Sequence, residues 1–334
     1  MSSLSDKATN LTEVTATLSP VLANIFLIIW ALSLIASFIG SLLIFQVIVT
    51  KYFPMMPATE KMIINLLVAD FLFVFSCVAY MLPMAIENIP KPVFKANTFL
   101  CRFHYSLIML SSFASALILA IIAYMRYIKL ATLKFQRYFT VHNVRVISFS
   151  IWFIATLATL PALFNIWGGL IYYSKFDGLC APWFDSPMDL NHLTYNILIM
   201  GFFFGVVNVL IFFCYYRIYK CIHFAFRRIE VSRVNNSDGK VLNYRELPSL
   251  RKRHKKEIKL NIILFIIFLG YVLSYGPAAV IITFRMIGLI KVNSDIIVVI
   301  TTIMYSNSML NPWIILLTSQ HYRRFIKDKY FKNR

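Results

Sequence analysis

The sequence predicts an all-α membrane protein, a bundle of seven transmembrane helices followed by a short amphipathic helix. Of the 334 residues, 59% are hydrophobic and only 14% are charged, which is too little polar sequence to cover a soluble core. The apolar residues also fall in seven runs, each long enough to cross a hydrocarbon layer of about 30 Å as a helix. These runs lie at 22–49, 62–86, 99–124, 147–173, 193–219, 258–285 and 293–318.

Helices are expected in all seven runs because each is long and rich in Leu, Ile, Phe and Val. The spanning strands of a barrel would instead give segments of about 10 residues with alternating polarity. The residues before the first run are mostly polar and contain neither a basic region nor a small-residue cleavage site. We therefore predict that the first run is a retained span that acts as its own signal, so that 1–21 form the N-terminus and 22–318 form the membrane domain.

The distribution of basic residues predicts the orientation of the chain. With the N-terminus and the even-numbered connections on one side, that side carries seven of the 33 Lys and Arg residues and the other side carries 26. Basic residues concentrate on the cytoplasmic side, so we expect the N-terminus outside and the C-terminus inside, in the plasma membrane. Contact with anionic lipid or an acidic partner then explains the net charge of +19, and nucleic acid is not expected as a partner.

Two polar segments are predicted on the cytoplasmic side. Residues 220–257 form the third cytoplasmic loop, whose charges serve either solubility at the interface or the docking of a partner. Residues 319–334 combine basic residues with four side chains near one helical face, which are Tyr322, Phe325, Ile326 and Tyr330. This pattern is typical of a helix on the inner membrane surface. On the outer side, the sequon at Asn10 is expected to carry a glycan.

Two of the five cysteines are expected to form a disulfide. Cys101 and Cys180 both lie on the outer side, in an oxidising compartment, whereas the others lie inside spans or near the inner surface. A bridge between them would tie the second outer loop to the top of the third helix. In the chain-entropy model, closing a loop of that size contributes about 4–5 kcal/mol. The other three cysteines are expected to pack as small apolar residues.

Several motifs follow one another in a fixed order along the spans. They are Cys101 with Arg126 twenty-five residues later, "NLLVAD" ending at Asp70, Trp152 on the fourth span, "CYYRI" on the fifth, Pro277 on the sixth and "NSMLNP" on the seventh. In this order and spacing, over nearly the whole chain, they resemble the rhodopsin-like (class A) family of G-protein-coupled receptors. The resemblance implies a receptor that binds an extracellular ligand and promotes nucleotide exchange on a cytoplasmic heterotrimeric G protein.

An acid lies in the middle of the second span. A charge there costs at least about 2.5–3.5 kcal/mol, so Asp70 should face the bundle interior and have partners. By the resemblance, the sodium site of the family corresponds to five oxygen-bearing residues, Asp70, Ser115, Asn307, Ser308 and Asn311. Oxygen ligands suit a hard cation, so an allosteric sodium ion is implied, with a polar network lacking an ion as the alternative. Ser41 replaces the asparagine usual on the first span.

The resemblance assigns coupling and switching to nine residues, which are Met125, Arg126, Tyr127, Tyr215, Glu257, Tyr275, Pro277, Asn311 and Pro312. Each proline removes a backbone donor and weakens a helical turn, which favours a hinge over a static kink. Glu257 lies where the family places an acid that reaches the arginine across the bundle. We hypothesise an ion pair between Arg126 and Glu257, which is worth about 0–1 kcal/mol if exposed. On composition alone, Arg126 would instead be an interfacial anchor.

Four switch positions depart from the family pattern. Met125 replaces the acid that normally pairs with the neighbouring arginine, and Tyr275 replaces the tryptophan of "CWxP". Val207 replaces a proline on the fifth span, and Ile315 replaces the tyrosine of "NPxxY". Because Met125 offers only packing, a restraint on the resting state is missing, and we predict raised basal signalling. The alternative is a receptor-shaped protein that binds a ligand or partners without activating a G protein.

The ligand pocket of the family corresponds to eight residues, Tyr80, Ile108, Ser112, Phe203, Tyr275, Ala278, Thr301 and Tyr305. An apolar and aromatic lining with a few hydroxyls suits the end of a peptide, a lipid-like molecule or a neutral small molecule. Ile108 stands where amine receptors carry an aspartate, so an ordinary amine is not expected. Tyr305 stands where opsins carry the lysine that binds retinal, so retinal is not expected either.

Other classes of membrane protein fit the sequence less well. The sequence has no metal-ligand spacing, nucleophile elbow or phosphate loop that would indicate an enzyme. A transporter or channel would be expected to carry charged or broken segments near the midplane of several helices, whereas Asp70 is the only central acid.

Overall fold

The structure, a computed structural model of the chain, consists almost entirely of helices. It describes residues 20–85, 98–132, 135–167, 171–174, 179–182, 190–234, 247–287, 289–290, 294–318 and 320–330. The first three spans are α1 (Pro20–Tyr52), α2 (Ala58–Ala85) and α3 (Phe99–Ala131). A one-turn helix, α4 (Phe135–Tyr138), then leads into the fourth span, α5 (Val141–Leu163).

The fifth span consists of three consecutive helical segments. They are α6 (Leu190–Met200), a π-helical segment (Gly201–Val206) and α7 (Val207–Val234). The sixth and seventh spans are α8 (Leu247–Met286) and α9 (Ser294–Thr318), and the tail helix α10 (Gln320–Tyr330) follows. The helices α7 and α8 extend well into the segment predicted as the third cytoplasmic loop, of which residues 235–246 lie outside the described part of the chain.

Within the described residues, five helical stretches are by themselves long and apolar enough to cross a membrane. They are Ile28–Tyr52, Phe99–Ala131, Val141–Leu163, Leu193–Phe224 and Asn261–Phe284. The other two predicted spans are the helices α2 and α9, which have 28 and 25 residues. At about 1.5 Å per residue, helices of that length also exceed a hydrocarbon layer of about 30 Å. The predicted bundle of seven helices is therefore confirmed.

Local signals explain where several helices begin. Pro20 is the first residue of α1, a position where proline loses no hydrogen bond and already has a helical φ angle. The hydroxyl of Thr98 accepts a hydrogen bond from the backbone N–H of Cys101 at 3.4 Å, which caps α3. In the same way, the hydroxyl of Thr140 accepts from the backbone N–H of Asn143 at 3.2 Å and caps α5. These caps satisfy N–H groups that have no partner within the helix.

The third span is the central helix of the bundle. In the most apolar 18-residue stretch of this helix, 67% of the residues are buried, whereas 17% are buried in the most apolar stretch of the fifth span. It packs against α2, α5 and α7, while α1 packs against α9. Large apolar side chains on the outer helix faces stay exposed because hydrocarbon, rather than water, surrounds such a bundle.

The first and seventh spans approach each other closely at a glycine. A Cβ atom placed on Gly40 would lie 3.0 Å from the Cβ of Pro312 and 3.3 Å from the Nε1 of Trp313. On the same pair of helices, the indole N–H of Trp30 donates to the hydroxyl of Thr302 at 2.8 Å. The absence of a side chain at Gly40 therefore sets the distance between α1 and the proline turn of α9.

A hairpin and a disulfide close one end of the bundle. The strands β1 (Ile171–Ser174) and β2 (Leu179–Pro182) pair antiparallel, and Cys180 on β2 is bonded to Cys101 at the start of α3, with 5.4 Å between the Cα atoms. The predicted disulfide is thus confirmed. We call this end of the bundle the disulfide end and the opposite end, where α3 carries Arg126, the Arg126 end.

Candidate functional site

A buried contact between α2 and α9 lies in the middle of the bundle. The side-chain amide of Asn311 donates hydrogen bonds to both carboxylate oxygens of Asp70, each at 3.1 Å. The side chain of Asp70 is 3% exposed and that of Asn311 is 1% exposed. An ionised carboxylate has about four lone-pair sites, so a single neutral amide leaves oxygen capacity for other donors or for a cation.

The other residues predicted for the sodium site are also buried. Ser115 lies on α3, and Asn307 and Ser308 lie on α9. Within the described part of the chain, the side-chain oxygens of Asn307 and Asn311 are buried and accept no hydrogen bond, and the hydroxyl of Ser41 makes none either. The amide of Asn311 contacts the carboxylate of Asp70 and its oxygen accepts no hydrogen bond. Buried oxygens without donors are chemically suited to a hard cation, so these residues fit a sodium ion.

The predicted ligand-pocket residues whose side chains are described lie deep in the bundle. Ile108, Ser112, Phe203, Tyr275 and Ala278 are all buried. The hydroxyl of Ser112 lies 3.4 Å from that of Tyr275, within hydrogen-bonding distance. The structure therefore brings α3, the fifth span and α8 together at this level. The side chains of the other three predicted residues, Tyr80, Thr301 and Tyr305, lie outside the described part.

A stacked pair of aromatic rings lies beside this polar contact. The rings of Phe113 and Phe203 have centroids 4.0 Å apart and planes inclined by 11°. Sequence analysis did not select Phe113, because an apolar residue on a buried helix face gives no signal of its own. The pair joins α3 to the fifth span through Phe203, one of the predicted pocket residues.

A π-helical segment occurs where the fifth span lacks the proline of the family pattern. Gly201–Val206 ends immediately before Val207, the residue that stands in place of the proline. A π turn frees a backbone carbonyl, and the side-chain amide of Asn208 donates to the carbonyl of Phe204 at 2.7 Å. The irregular turn therefore arises without a proline, which sequence analysis did not predict.

At the Arg126 end, the predicted switch residues of α3 are packed into the bundle. Arg126 is 5% exposed and Met125 is 2% exposed, so the arginine does not lie on the lipid-facing surface like a simple interfacial anchor. Tyr215 on α7 is buried as well. The guanidinium of Arg217 donates to the hydroxyl of Tyr127 at 3.5 Å, which links α7 to α3 near the surface.

The hypothesis of an ion pair across the bundle stays a prediction. Glu257 lies within α8, but its side chain is outside the described part of the chain. The two switch prolines, Pro277 and Pro312, lie inside α8 and α9 and do not end these helices. Ile315, one turn beyond Pro312, is buried.

A contact that sequence analysis did not identify joins the tail helix to α2. The hydroxyl of Tyr322 donates to the Oε2 atom of Glu60 at 2.6 Å. Glu60 precedes the apolar run that begins at residue 62 and so lies outside the membrane-spanning stretch of α2. Burial raises the pKa of Glu60, while the hydrogen bond from Tyr322 and the charges of Arg126 and Lys51 lower it in part. Burial and the neighbouring carboxylate raise the pKa of Tyr322. The sequence carried no distinct signal for this contact, because other acids, such as Glu257 and Asp328, also occur at this mostly basic end.

Comparisons with known proteins agree with this architecture. The model of the family "7 transmembrane receptor (rhodopsin family)" matches residues 40–315, which is most of the chain. The crystal structure of squid rhodopsin is similar, with a TM-score of 0.78 and 18% sequence identity over 95% of this chain and 87% of the squid rhodopsin chain. At that identity the likeness concerns the fold. No curated protein sequence matches the chain. The match over most of its length shows that this multi-pass membrane protein belongs to the rhodopsin family of seven-transmembrane receptors, which are signalling receptors and not enzymes.

Proposed function

We propose that this receptor binds an extracellular ligand at its disulfide end and promotes nucleotide exchange on a heterotrimeric G protein at its Arg126 end. The observation that carries the proposal is the burial of Arg126 at the end of the central helix, where an arginine without a function would be expected to reach the membrane surface. A buried arginine that becomes accessible when neighbouring helices separate offers a charged docking group to a partner.

The route from ligand to partner runs through the middle of the bundle. A ligand that contacts Ser112 and Tyr275 would act on α3 and α8 together, because these residues already touch. Below them, the contact between Asp70 and Asn311 links α2 to the proline turn of α9. Prolines in α8 and α9 weaken the turns about which the Arg126 ends of these helices would swing outward.

The chemistry of the pocket narrows the class of ligand. Ile108 offers no carboxylate for an ammonium group, and Tyr305 offers no amine for retinal. The end of a peptide, a lipid-like molecule or a neutral small molecule suits a lining of apolar and aromatic side chains with a hydroxyl pair. We further propose that the N-terminus is extracellular, that the basic Arg126 end faces the cytoplasm and that the receptor acts in the plasma membrane.

Two features of the site bear on basal activity. A sodium ion held by Asp70 and the free oxygens of Asn307 and Asn311 would stabilise the resting packing of α2 and α9. Met125 cannot pair with Arg126, so the remaining restraint would come from residues on other helices, including the hypothesised pair with Glu257. A resting state that has lost one charged restraint is expected to be active part of the time without ligand.

The experiment that tests this function is ligand-free nucleotide exchange on a panel of G proteins in membranes that contain the receptor. The variants are Arg126→Ala, which removes the docking group, and Met125→Asp, which restores the missing acid. Arg145→Ala is the matched control, because Arg145 is an exposed arginine on α5. We expect basal exchange above empty membranes that falls in the first two variants and is unchanged in the control.

A second candidate function is favoured by specific substitutions. Ile315 is buried at the position where the family carries a tyrosine, and Met125 and Tyr275 also depart from the switch pattern. A receptor-shaped protein that binds a ligand or partners without activating a G protein would carry such changes. This second function would be favoured if the wild type and all three variants are folded and present at the surface but give no more exchange than empty membranes.

A further inference from the structure

The hydrogen bond between the tail helix and α2 has no role in the function proposed so far. It joins ionisable residues 262 positions apart in the sequence, and its donor, Tyr322, is only 4% exposed. The distance of 2.6 Å is in the range of a hydrogen bond from a hydroxyl to an ionised carboxylate, which is roughly twice as strong as one between neutral groups. The bond therefore holds the first turn of α10 firmly against the start of α2.

The phenol ring of Tyr322 belongs to the main apolar core. It lies in the same cluster of buried side chains as Met125, which precedes Arg126, and as Ile315 on α9. Ile315 occupies the position from which the family presents a hydroxyl near the coupling end. In this chain, Tyr322 presents a hydroxyl from α10 instead, seven residues further on.

The acid that accepts this bond interacts electrostatically with Arg126. The charge of Arg126 is close enough to lower the pKa of Glu60, against the raising effect of burial. By reciprocity, the ionised carboxylate stabilises the buried guanidinium. Met125 carries no charge, whereas the carboxylate of Glu60 acts electrostatically on Arg126 from α2.

Building on the proposed coupling at Arg126, we propose that Glu60 and Tyr322 form a restraint on Arg126 in the resting receptor. Tyr322 holds the carboxylate of Glu60 in place, and the carboxylate attracts the guanidinium of Arg126. Release of the first turn of α10 from α2 frees the carboxylate and weakens the attraction. The tail helix thereby regulates the accessibility of Arg126 to a partner.

Two conservative variants separate the parts of this restraint. Tyr322→Phe removes only the hydroxyl and keeps the ring in the core. Glu60→Gln keeps an oxygen that accepts from Tyr322 but removes the charge that acts on Arg126. Tyr330→Phe is the matched control, because the hydroxyl of Tyr330 also donates a bond of 2.6 Å from α10, to the side-chain oxygen of Gln46 on α1.

The first readout needs no G protein. Deuterium uptake is measured by mass spectrometry for α10 and for the Arg126 ends of α3 and α8 in the purified receptor. We expect Tyr322→Phe to speed uptake in all three segments by about ten- to hundredfold, as the loss of a hydrogen bond to a charged group implies. Glu60→Gln should speed uptake in α3 and α8 with little change in α10. Tyr330→Phe should leave α3 and α8 unchanged.

The second readout is basal nucleotide exchange, which should rise in Tyr322→Phe and Glu60→Gln but not in Tyr330→Phe. One outcome separates the two proposals: neither the wild type nor any variant drives exchange, yet Tyr322→Phe and Glu60→Gln still speed uptake in α3 and α8. In that case the coupling proposal fails and the restraint is supported. The restraint is overturned if neither Tyr322→Phe nor Glu60→Gln changes the uptake of α3 and α8 from that of the wild type. A similar increase in Tyr330→Phe overturns it as well, because any loosening of α10 would then suffice.

Discussion

The amide of Asn311 donates to both carboxylate oxygens of Asp70 at 3.1 Å, and this contact joins the second and seventh spans in the middle of the bundle. Because water and counter-ions are scarce at this depth, each polar group must find its partner within the protein. The side-chain oxygens of Asn307 and Asn311, among the described residues, are buried and accept no hydrogen bond, so they are available to a cation.

The first prediction concerns this contact. Replacing NaCl with N-methylglucamine chloride should lower the thermal stability of the wild-type receptor, because a cation that binds only the folded state stabilises it by mass action. Asp70→Asn should abolish this difference, since a neutral amide cannot hold a sodium ion. Thermal unfolding monitored by thiol-reactive or tryptophan fluorescence provides the measurement. An equal salt effect in the wild type and Asp70→Asn would refute a sodium site at Asp70.

The second prediction tests the close approach of α1 and α9. Gly40→Ala would place a methyl group 3.0 Å from the Cβ of Pro312, so the helices must separate by a few tenths of an ångström. Overpacking of this kind typically costs about 1–3 kcal/mol, and we expect a lower midpoint of thermal unfolding. Gly276→Ala is the matched control, because its added Cβ would meet only a side-chain atom of Val272 at 4.0 Å. A midpoint for Gly40→Ala equal to that of the control would contradict the packing argument.

The third prediction is a pH dependence that arises from Glu60. Because burial raises the pKa of this acid, the folded protein binds more protons than the unfolded chain above the usual carboxyl pKa of 4.5. Its contribution to stability is therefore largest at acidic pH and is lost as the pH rises through the raised pKa. The groups that interact with it electrostatically include Tyr322, Arg126, Lys51 and Tyr52.

The measurement for this third prediction is thermal unfolding of the wild type and of Glu60→Gln from pH 5 to pH 8. Glutamine does not titrate, so the wild type should lose stability relative to the variant as the pH rises. The pKa of Glu60 is not raised if the stability difference between the two proteins is constant over this range. The same conclusion follows if the wild type becomes more stable than the variant as the pH rises.

The fourth prediction concerns the bond between Cys101 and Cys180, which are 79 residues apart in the sequence. Cys180→Ser should destabilise the receptor by up to about 4–5 kcal/mol in the chain-entropy model. Cys77→Ser replaces a buried cysteine without a disulfide and serves as the control. Thermal unfolding and ligand-independent surface expression are both measured. A smaller loss of stability for Cys180→Ser than for Cys77→Ser would show that the bridge contributes little to the fold.

Much of the fold could be predicted from the sequence because its causes are local or compositional. Seven apolar runs require seven helices in a membrane, since no other structure satisfies the backbone there. The disulfide between Cys101 and Cys180 followed from the side of the membrane on which each cysteine lies. The burial of Asp70 followed from the cost of a charge in hydrocarbon.

The tertiary structure decided which side chains meet across the bundle. The bond from Tyr322 to Glu60 depends on how α10 lies against α2, which no periodicity in either segment specifies. The π-helical segment before Val207 could not be predicted either, because its sequence contains no proline that would indicate an irregular turn. By itself, the sequence determined the helices and their order, since these depend on apolar length. Only the folded bundle determined the burial of Arg126 and the bond between Tyr322 and Glu60, because both depend on residues far apart in the chain.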